Sequence, residues 1–419
     1  MHHFKYHRDE LHCENVPVGK IAAEIGTPFY LYSHGTLMRH FKVFNEAFEG
    51  IERLICFSAK ANTNLAILKL FAGLGCGLDI VSGGELYRGL QAGFDPDRIV
   101  YSGVGKRVDE IDYALKSGIL MFNLESLDEL RLINRRAGEL KRRAPVAIRV
   151  NPDVDPKTHP YIATGLKKNK FGIDTEAAFE GYQMAGSLEH IEVVGIDCHI
   201  GSQITETGPF EEALSSIKAL LQRLKAELGL NIRYLDMGGG LGITYADETP
   251  PSLKEYARAF LTNLEGLDLR LILEPGRVLV GNAGILVTRV LYKKSGSGKK
   301  FVIVDAGMND LLRPTLYKAF HAIQPVVRSA APVTIADVVG PICESGDFLA
   351  AERSLADVDA GDLLAIMSTG AYGFVMSSNY CSRPRVAEVM VKDNQYAVVK
   401  QRETYPDLVK GESVPAFMR

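Results

Sequence analysis

The chain lacks a surplus of positive charge, since 48 Lys and Arg residues stand against 51 Asp and Glu residues among its 419. A nucleic-acid-binding protein needs clustered positive charge to hold the phosphates, and no block of like charge forms such an arm. The composition therefore argues against a nucleic-acid partner. We expect the partner to be a small molecule.

Long apolar runs are also missing. No stretch reaches the roughly 18 apolar residues needed to cross a bilayer, and the first residues lack the apolar centre of a secretion signal. Cysteine is scarce: the six present form no Cys-x-x-Cys pair, which predicts free thiols in a reducing compartment. We expect a cytoplasmic protein without a membrane partner.

Clustered metal ligands are confined to the N-terminal histidines His2, His3, His7 and His12. These could bind a metal, but their spacing focuses them on neither a strand face nor a helix face. A solvated terminal segment is the better interpretation, and no metal site is predicted.

From Arg53 onward, short apolar runs alternate with helical patterns. The predicted strands are Leu54–Phe57, Leu78–Val81, Arg98–Tyr101, Ile119–Leu124, Pro145–Val150, Ile191–His199, Ile232–Met237 and Leu269–Leu273. Between the sixth and seventh, apolar residues of Phe210–Leu228 recur at i, i+3, i+4 and i+7, which is typical of a helix. Strand–helix units repeated over roughly 240 residues predict a (β/α)8 TIM-type barrel, with a doubly wound sheet as the alternative.

After Gly284 the helical period largely disappears, and strand-like runs such as Lys300–Asp305 and Arg385–Lys392 follow. The sequence thus predicts an α/β protein with two domains. Residues 36–283 form the barrel, and residues 1–35 plus 284–419 form a mostly β domain. The long connection 151–174, with its basic run 167–170, is predicted to be a functional loop rather than a plain basic surface loop.

A barrel of this kind carries its active site at the C-terminal ends of its strands. The residues at those ends are reactive, namely Lys60, Asp79, Ser82–Glu85, His199–Gln203, Gly238–Gly242 and Glu274–Arg277. A lysine beside glycine-rich loops that can bind a phosphate suggests pyridoxal phosphate, whose ring nitrogen needs an acidic partner such as Glu274. Each feature alone has a structural alternative, because strand-end lysines are commonly solvated and glycine clusters commonly form tight turns.

The motifs spread over most of the chain, in residues 57–62, 197–203, 238–242, 274–277, 313–317, 340–347 and 370–373. In these segments the chain resembles the fold type III, alanine-racemase-like family of pyridoxal-phosphate enzymes, and within it the decarboxylases that act on diaminopimelate. The resemblance implies a PLP-dependent carboxy-lyase that converts meso-2,6-diaminopimelate to L-lysine and CO2, the last step of lysine biosynthesis. It also implies a homodimer with shared active sites.

The same resemblance implies a role for each site residue. Lys60 binds the cofactor covalently and shuttles protons, His199 stacks on its ring, and Cys343 donates a proton to the decarboxylated carbon. The implied cofactor-binding residues are Lys60, Asp79, His199, Ser202, Gly238, Gly239, Gly240, Glu274, Gly276, Arg277 and Tyr372. The implied substrate-binding residues are Arg277, Arg313, Tyr317, Glu344 and Tyr372.

Several competing interpretations stay open at this point. Related decarboxylases act on ornithine, arginine or carboxynorspermidine, but ornithine has no distal carboxylate for Arg313 to bind. An amino-acid racemase needs a second base, for which the thiol of Cys343 is poorly suited. A non-catalytic PLP-binding barrel would not need the second domain. The chain also departs from the family's usual pattern at Cys381 and Val386, where Asn and Pro are more common.

Overall fold

The structure is a computed structural model that describes residues 2–156, 158–162, 164–165, 169–264, 266–296 and 298–418. The chain divides into two compact units, one formed by Met38–Val280 and the other by Met1–Leu37 with Gly281–Arg419. The sequence pattern predicts the corresponding junctions at 35/36 and 283/284.

Met38–Val280 is built on parallel strands that close into a barrel. In chain order the eight barrel strands are Arg53–Ser58, Gly77–Ile80, Ile99–Tyr101, Met121–Leu124, Ala144–Asn151, Ile191–Asp197, Tyr234–Asp236 and Arg270–Leu273. The eighth strand pairs with the first, with Ile272 opposite Leu54, so that the sheet closes on itself. The predicted (β/α)8 barrel is therefore confirmed, and the doubly wound alternative is wrong.

A helix follows each barrel strand. These helices are Leu65–Gly73, Gly83–Ala92, Val108–Ser117, Leu127–Glu139, Thr175–Ser187, Gly208–Leu228, Leu253–Leu264 and Arg277–Val280, and His34–Ala47 precedes the first strand. Their ends follow from local chemistry. The Ser82 side chain accepts a hydrogen bond from the Glu85 N–H at the start of Gly83–Ala92, and Gly93 ends this helix with φ 89°. A short strand, Ile173–Asp174, adds to the fifth barrel strand.

The interior of the barrel changes from apolar to polar along its strands. Near the middle, inward side chains form an apolar layer made of Cys56, Val100, Met121, Tyr234 and Ile272. Because alternate residues of a strand share a face, the residue two places further along also points inward. These next residues are all buried and form a polar layer made of Ser58, Ser102, Asn123, Asp236 and Glu274.

The second unit is mostly β, as predicted. Its main sheet has the order Phe348–Ala356, Val333–Val339, Lys299–Val304, Gly284–Gly296, Phe29–Ser33, Ala387–Lys392 and Gln395–Lys400. Leu363–Ile366 also pairs with Gly284–Gly296 and carries Ile323–Pro325 on its other side. A small antiparallel sheet contains Phe4–His7, Glu10–Cys13 and Val16–Pro17, and the helices are Val18–Ile25, Arg313–Tyr317 and Tyr405–Leu408.

The described residues offer neither a membrane-spanning helix nor a cluster of metal ligands. No helix among them is long and apolar enough to span a bilayer. They also contain no group of three or more His, Cys, Asp or Glu side chains arranged to hold a metal ion. The ring of His3 contacts the Thr36 hydroxyl, and the ring of His12 contacts the Glu10 carbonyl.

Candidate active site

Lys60 lies in the short turn Ala59–Ala61, directly after the first barrel strand. Its Nζ donates to Asp79 Oδ2 on the second strand at 2.6 Å, and Ser58 Oγ donates to the same oxygen at 2.6 Å. Asp79 is fully buried, whereas the Lys60 side chain is 35% exposed. The amine therefore faces the barrel mouth while its counter-ion is fixed in the wall.

Glu274 follows the eighth barrel strand and lies buried in the polar layer, near enough to Asp236 for their charges to interact. Ser102 Oγ also donates to Glu274 Oε1 at a long 3.4 Å. Burial raises the pKa of Glu274 well above its usual range, and the negative charges of Asp236 and Asp79 raise it further. Burial likewise raises the pKa of Asp236 to about 7.

Asp236 is fixed by one group of the loop that follows it and by one group of the fourth barrel strand. Its Oδ1 accepts from the Gly238 N–H at 2.9 Å, and its Oδ2 accepts from Asn123 Nδ2 at 3.1 Å. The same Asn123 nitrogen donates to Ser102 Oγ at 3.1 Å. The polar layer is thus a connected network that runs from Asp236 through Asn123 and Ser102 to Glu274.

The glycine loop after the seventh barrel strand packs too closely for side chains. A Cβ on Gly239 would lie 2.2 Å from the Glu274 carbonyl oxygen, and one on Gly240, where φ is 110°, would lie 2.6 Å from the Gly201 carbonyl oxygen. Within the described residues, the N–H groups of Gly240 and Gly276 donate no hydrogen bond. Exposed backbone donors of this kind are suited to an anion such as a phosphate.

His199 lies just beyond the sixth barrel strand, against the glycine loop. The Gly239 N–H donates to His199 Nδ1 at 3.3 Å, which makes Nδ1 the acceptor and leaves the proton of the neutral ring on Nε2. A Cβ on Gly238 would lie 2.5 Å from this ring nitrogen. Burial lowers the pKa of His199 well below its usual value, and the positive charges of Arg149 and Lys60 lower it further. The imidazole is therefore neutral near pH 7.

Arg277 joins two of the loops around the mouth. Its guanidinium is buried, with Nη2 donating to Ser202 Oγ at 3.0 Å and Nη1 donating to Tyr245 Oη at 2.8 Å. Ser202 follows the sixth strand and Tyr245 the seventh, so Arg277 fixes both loops relative to the eighth strand.

The long connection 151–174 contacts the backbone of two predicted site residues. Thr164 Oγ1 donates to the His199 carbonyl oxygen at 2.9 Å, and Thr158 Oγ1 donates to that of Ser202 at 2.8 Å. Lys167 and Lys168 of its basic run lie outside the described residues. These contacts favour the functional interpretation of the loop over a plain surface loop.

In the β unit, Arg313 begins the helix Arg313–Tyr317 and is buried. Its Nη1 lies 2.8 Å from His321 Nε2, and His321 Nδ1 lies 2.8 Å from the Met367 carbonyl oxygen. Because that carbonyl can only accept, Nδ1 carries the proton and Nε2 accepts from the guanidinium. Arg313 is thereby held in one orientation.

Cys343 and Glu344 lie exposed in a loop that the buried Asp347 holds in shape. The Asp347 carboxylate accepts hydrogen bonds from the N–H groups of Met308 and Ile342, each at 2.6 Å. Thr315 Oγ1 donates to the Gly346 carbonyl oxygen at 2.6 Å, which ties this loop to the helix that carries Arg313 and Tyr317.

Two further residues of the β unit have left-handed backbones. Tyr372 is partly exposed, with φ 54°, and precedes Gly373, where a Cβ would lie 2.4 Å from the Thr369 carbonyl oxygen. Cys381 is exposed and has φ 55°. Asn adopts this region more readily than other non-glycine residues, which gives a physical reason for the family's preference at position 381.

Comparison with known proteins decides the family. Residues 34–281 match the family described as pyridoxal-dependent decarboxylase, pyridoxal binding domain. The chain is 52% identical to the diaminopimelate decarboxylase of Pseudomonas aeruginosa, over 98% of this chain and 99% of that protein. The chain belongs to the diaminopimelate decarboxylase family. It is a PLP-dependent carboxy-lyase, and the cofactor predicted from the sequence is confirmed.

Solved structures of diaminopimelate decarboxylases share the fold along nearly the whole chain. The enzyme from Helicobacter pylori complexed with L-lysine superposes with a TM-score of 0.91 at 45% identity, covering 94% of this chain and 98% of that chain. The enzyme from M. jannaschii in co-complex with L-lysine superposes with a TM-score of 0.95 at 39% identity, covering 99% of each chain.

The barrel mouth fits the pyridoxal phosphate of diaminopimelate decarboxylases in its donor set. Lys60 offers a partly exposed amine, and the N–H groups of Gly240 and Gly276, which have no partner in the part of the chain that the structure describes, suit the phosphate. Glu274 lies among further carboxylates, so that a protonated ring nitrogen beside it would offset an excess of negative charge.

Asp236 and Asn123 were not predicted to belong to the site. Asp236 had a usable sequence signal, because it ends a barrel strand two residues before the glycine loop, and Asp79 likewise lies near the end of its strand. Asn123 had no such signal. Its contact with Asp236 joins residues 113 positions apart and depends on which strands face each other across the barrel.

Proposed function

We propose that this protein decarboxylates meso-2,6-diaminopimelate to L-lysine and CO2, the last step of lysine biosynthesis. The observation that carries the proposal is the arrangement at one barrel mouth of the Lys60 amine, the buried Glu274, and the N–H groups of Gly240 and Gly276, which donate to no described residue. The choice of substrate is supported by the full-length match to diaminopimelate decarboxylases. When bound, pyridoxal phosphate supplies an electron sink for the carbanion left as CO2 departs.

The barrel residues bind and orient the cofactor. Lys60 would hold the cofactor through its amine and, when that amine is free, could carry protons; Asp79 Oδ2 is the group that holds its ammonium. Glu274 would accept the hydrogen of the ring nitrogen, and the neutral His199 would stack on the ring. The proposed phosphate ligands are Ser202, Gly240, Gly276 and Tyr372, and the further proposed cofactor-binding residues are Gly238, Gly239 and Arg277.

The proposed substrate contacts pair each charged group of the substrate with a side chain of opposite charge. The buried guanidinium of Arg313, held by His321, suits the distal carboxylate, and the exposed carboxylate of Glu344 suits the distal ammonium. Tyr317, Tyr372 and Arg277 complete the proposed set. Cys343 is the proposed proton donor to the carbon that loses CO2.

Substrate preference tests this function directly. We expect CO2 release from meso-diaminopimelate, with ornithine and arginine as poor substrates. Arg313→Ala should raise KM for diaminopimelate by about 10-fold to 100-fold, the equivalent of one charge-assisted hydrogen bond, and leave the cofactor content unchanged. Exposed Arg328→Ala is a matched control on the same unit. Faster turnover of ornithine by the wild type would refute the assignment of substrate.

We also propose that the enzyme acts as a homodimer in which Lys60 of one chain and Cys343 of the partner serve one site, as the family resemblance implies. Mixing Lys60→Ala and Cys343→Ala chains under exchange then yields one intact site per mixed dimer. Activity should recover to about a quarter of wild type. No recovery after proven exchange would reject the shared site. The cytoplasmic location stays a prediction.

A further inference from the structure

His321, which lies outside the proposed substrate-binding set, is fully buried between a hydrogen-bond donor and an acceptor. Its Nε2 lies 2.8 Å from Arg313 Nη1, and its Nδ1 lies 2.8 Å from the Met367 carbonyl oxygen. A guanidinium can only donate and a carbonyl can only accept, so the ring needs one acceptor nitrogen and one donor nitrogen. Only the neutral imidazole has both, and His321 therefore holds Arg313 while carrying no charge itself.

The backbone around His321 is fixed by neighbouring elements of the β unit. A strand that begins at Ile323 pairs with the strand that leads directly into Met367, which brings the Met367 carbonyl to the imidazole. Arg353 Nη1 donates to the His321 carbonyl oxygen at 2.5 Å, and the guanidinium carbon of Arg353 lies 3.8 Å from the centre of the Phe320 ring. The imidazole is thus held in place by contacts that do not involve Arg313.

A carboxylate binds a guanidinium through two parallel N–H groups, so the plane of the guanidinium decides whether it can bind. An acidic partner would also fix this plane, but it would add negative charge beside the position meant for another carboxylate. We infer that His321 is the positioning residue for recognition of the distal carboxylate, because it fixes the plane of the Arg313 guanidinium without offsetting its positive charge. This inference rests on the proposed role of Arg313.

Two amide substitutions at position 321 separate the two contacts of the ring. In His321→Gln, the amide lies near the former Nε2, so its oxygen can accept from Arg313 while the contact with Met367 is lost. In His321→Asn, the shorter side chain places its amide near the former Nδ1, so it can donate to Met367 but cannot reach Arg313. A positioning role makes His321→Asn the damaging change, whereas a role confined to holding the strands together makes His321→Gln the damaging one.

The test measures binding of two ligands to the holoenzyme by isothermal titration calorimetry. L-lysine, the proposed product, keeps the distal carboxylate, and cadaverine is the same diamine without it. His321→Gln should bind L-lysine within about 2-fold of wild type, and His321→Asn should bind it about 3-fold to 10-fold more weakly, the equivalent of one hydrogen bond of average strength. Cadaverine binding and the visible absorbance of the cofactor should match wild type in both variants. In an Arg313→Ala background, His321→Asn should cause no further loss.

The inference would be overturned by wild-type L-lysine binding in His321→Asn, by a larger loss in His321→Gln, or by an equal loss of L-lysine and cadaverine. A further loss in the Arg313→Ala background would also overturn it. Wild-type L-lysine binding in the single Arg313→Ala variant would instead refute the proposed role of Arg313. If circular dichroism shows that His321→Asn is unfolded, His321→Leu, which also offers Arg313 no acceptor, takes its place with the same expected results.

Discussion

The apolar and polar layers inside the barrel lie next to each other on the same strands, yet they constrain the sequence differently. Val100, Met121 and Ile272 of the apolar layer need only fill space, so a residue of similar volume can replace each of them. In the polar layer, Asn123 and Asp236 each satisfy particular partners, and a change in one leaves another buried group unpaired. On a single strand, one inward residue thus packs in the apolar layer, and the inward residue two positions later forms hydrogen bonds in the polar layer.

The largest effect is expected just beyond the polar layer, at Lys60. Lys60→Ala should lower kcat by about 1,000-fold or more, because it removes both the covalent link to the cofactor and a proton carrier. The visible absorbance and the borohydride-reducible cofactor should disappear as well. Lys106→Met is the matched control, since Lys106 is a buried lysine near the same mouth that bonds to Glu129 and two carbonyl oxygens. A reducible cofactor in Lys60→Ala would contradict the assignment.

A change in the apolar layer should affect stability and leave chemistry intact. Met121→Ala removes most of a fully buried side chain and should lower the free energy of unfolding by about 2–5 kcal/mol. Urea unfolding measures this loss, while cofactor content and KM below the unfolding transition should match wild type. Reduced cofactor affinity in the folded variant would show that the two layers are not separable.

The two layers should also differ in how they make the free energy of unfolding depend on pH, because only the polar layer contains ionisable carboxyl groups. Asp236 has its pKa raised to about 7 from an ordinary value of about 3.9, so the folded state favours its neutral form. This contribution is fully present below about pH 4 and is lost as the pH rises through about 7. Between about pH 5 and pH 8, apoprotein of the wild type should lose about 1–3 kcal/mol relative to Asp236→Asn. Free energies of unfolding of wild type and Asp236→Asn that change in parallel from pH 5 to pH 8 would contradict a raised pKa of Asp236.

The smallest effect is expected at Ser102, whose bond to Glu274 is long at 3.4 Å. Ser102→Ala should weaken cofactor retention by about 2-fold to 5-fold, in keeping with a net contribution of about 0.5–1 kcal/mol. Val100→Ala, one inward position earlier, should instead lower stability without changing retention. If Val100→Ala changed retention more than Ser102→Ala, the division between the layers would be wrong.

The strands were predictable because each is a short apolar run between helical patterns. The prediction Leu54–Phe57 corresponds to Arg53–Ser58, and Leu269–Leu273 corresponds to Arg270–Leu273. Strand ends were less accurate: the predicted Ile191–His199 stops at Asp197, because the backbone beyond it turns to bring His199 against the glycine loop. The apolar run predicts that a strand is present, whereas the position of its last residue depends on contacts with other loops.

The polar layer was only partly predictable. Lys60 and the glycine loop stand out locally, by residue type and position after a strand. Asn123 and Ser102 look ordinary in sequence, and they gain their role only when barrel closure brings them to Asp236 and Glu274. Pairwise contacts across a closed sheet are a tertiary property that a single sequence does not display.

Because the barrel closes by pairing its first and eighth strands, it cannot close during synthesis until the eighth strand has been made. The hydrogen bond between Arg270 and the Arg53 carbonyl joins residues 217 positions apart. At roughly 5–20 residues per second, the first strand leaves the ribosome some 10–40 s before its last neighbour exists. Throughout that interval Lys60 has no Glu274 beside it. A nascent chain therefore cannot capture its cofactor at the complete site until the final strand has joined the sheet.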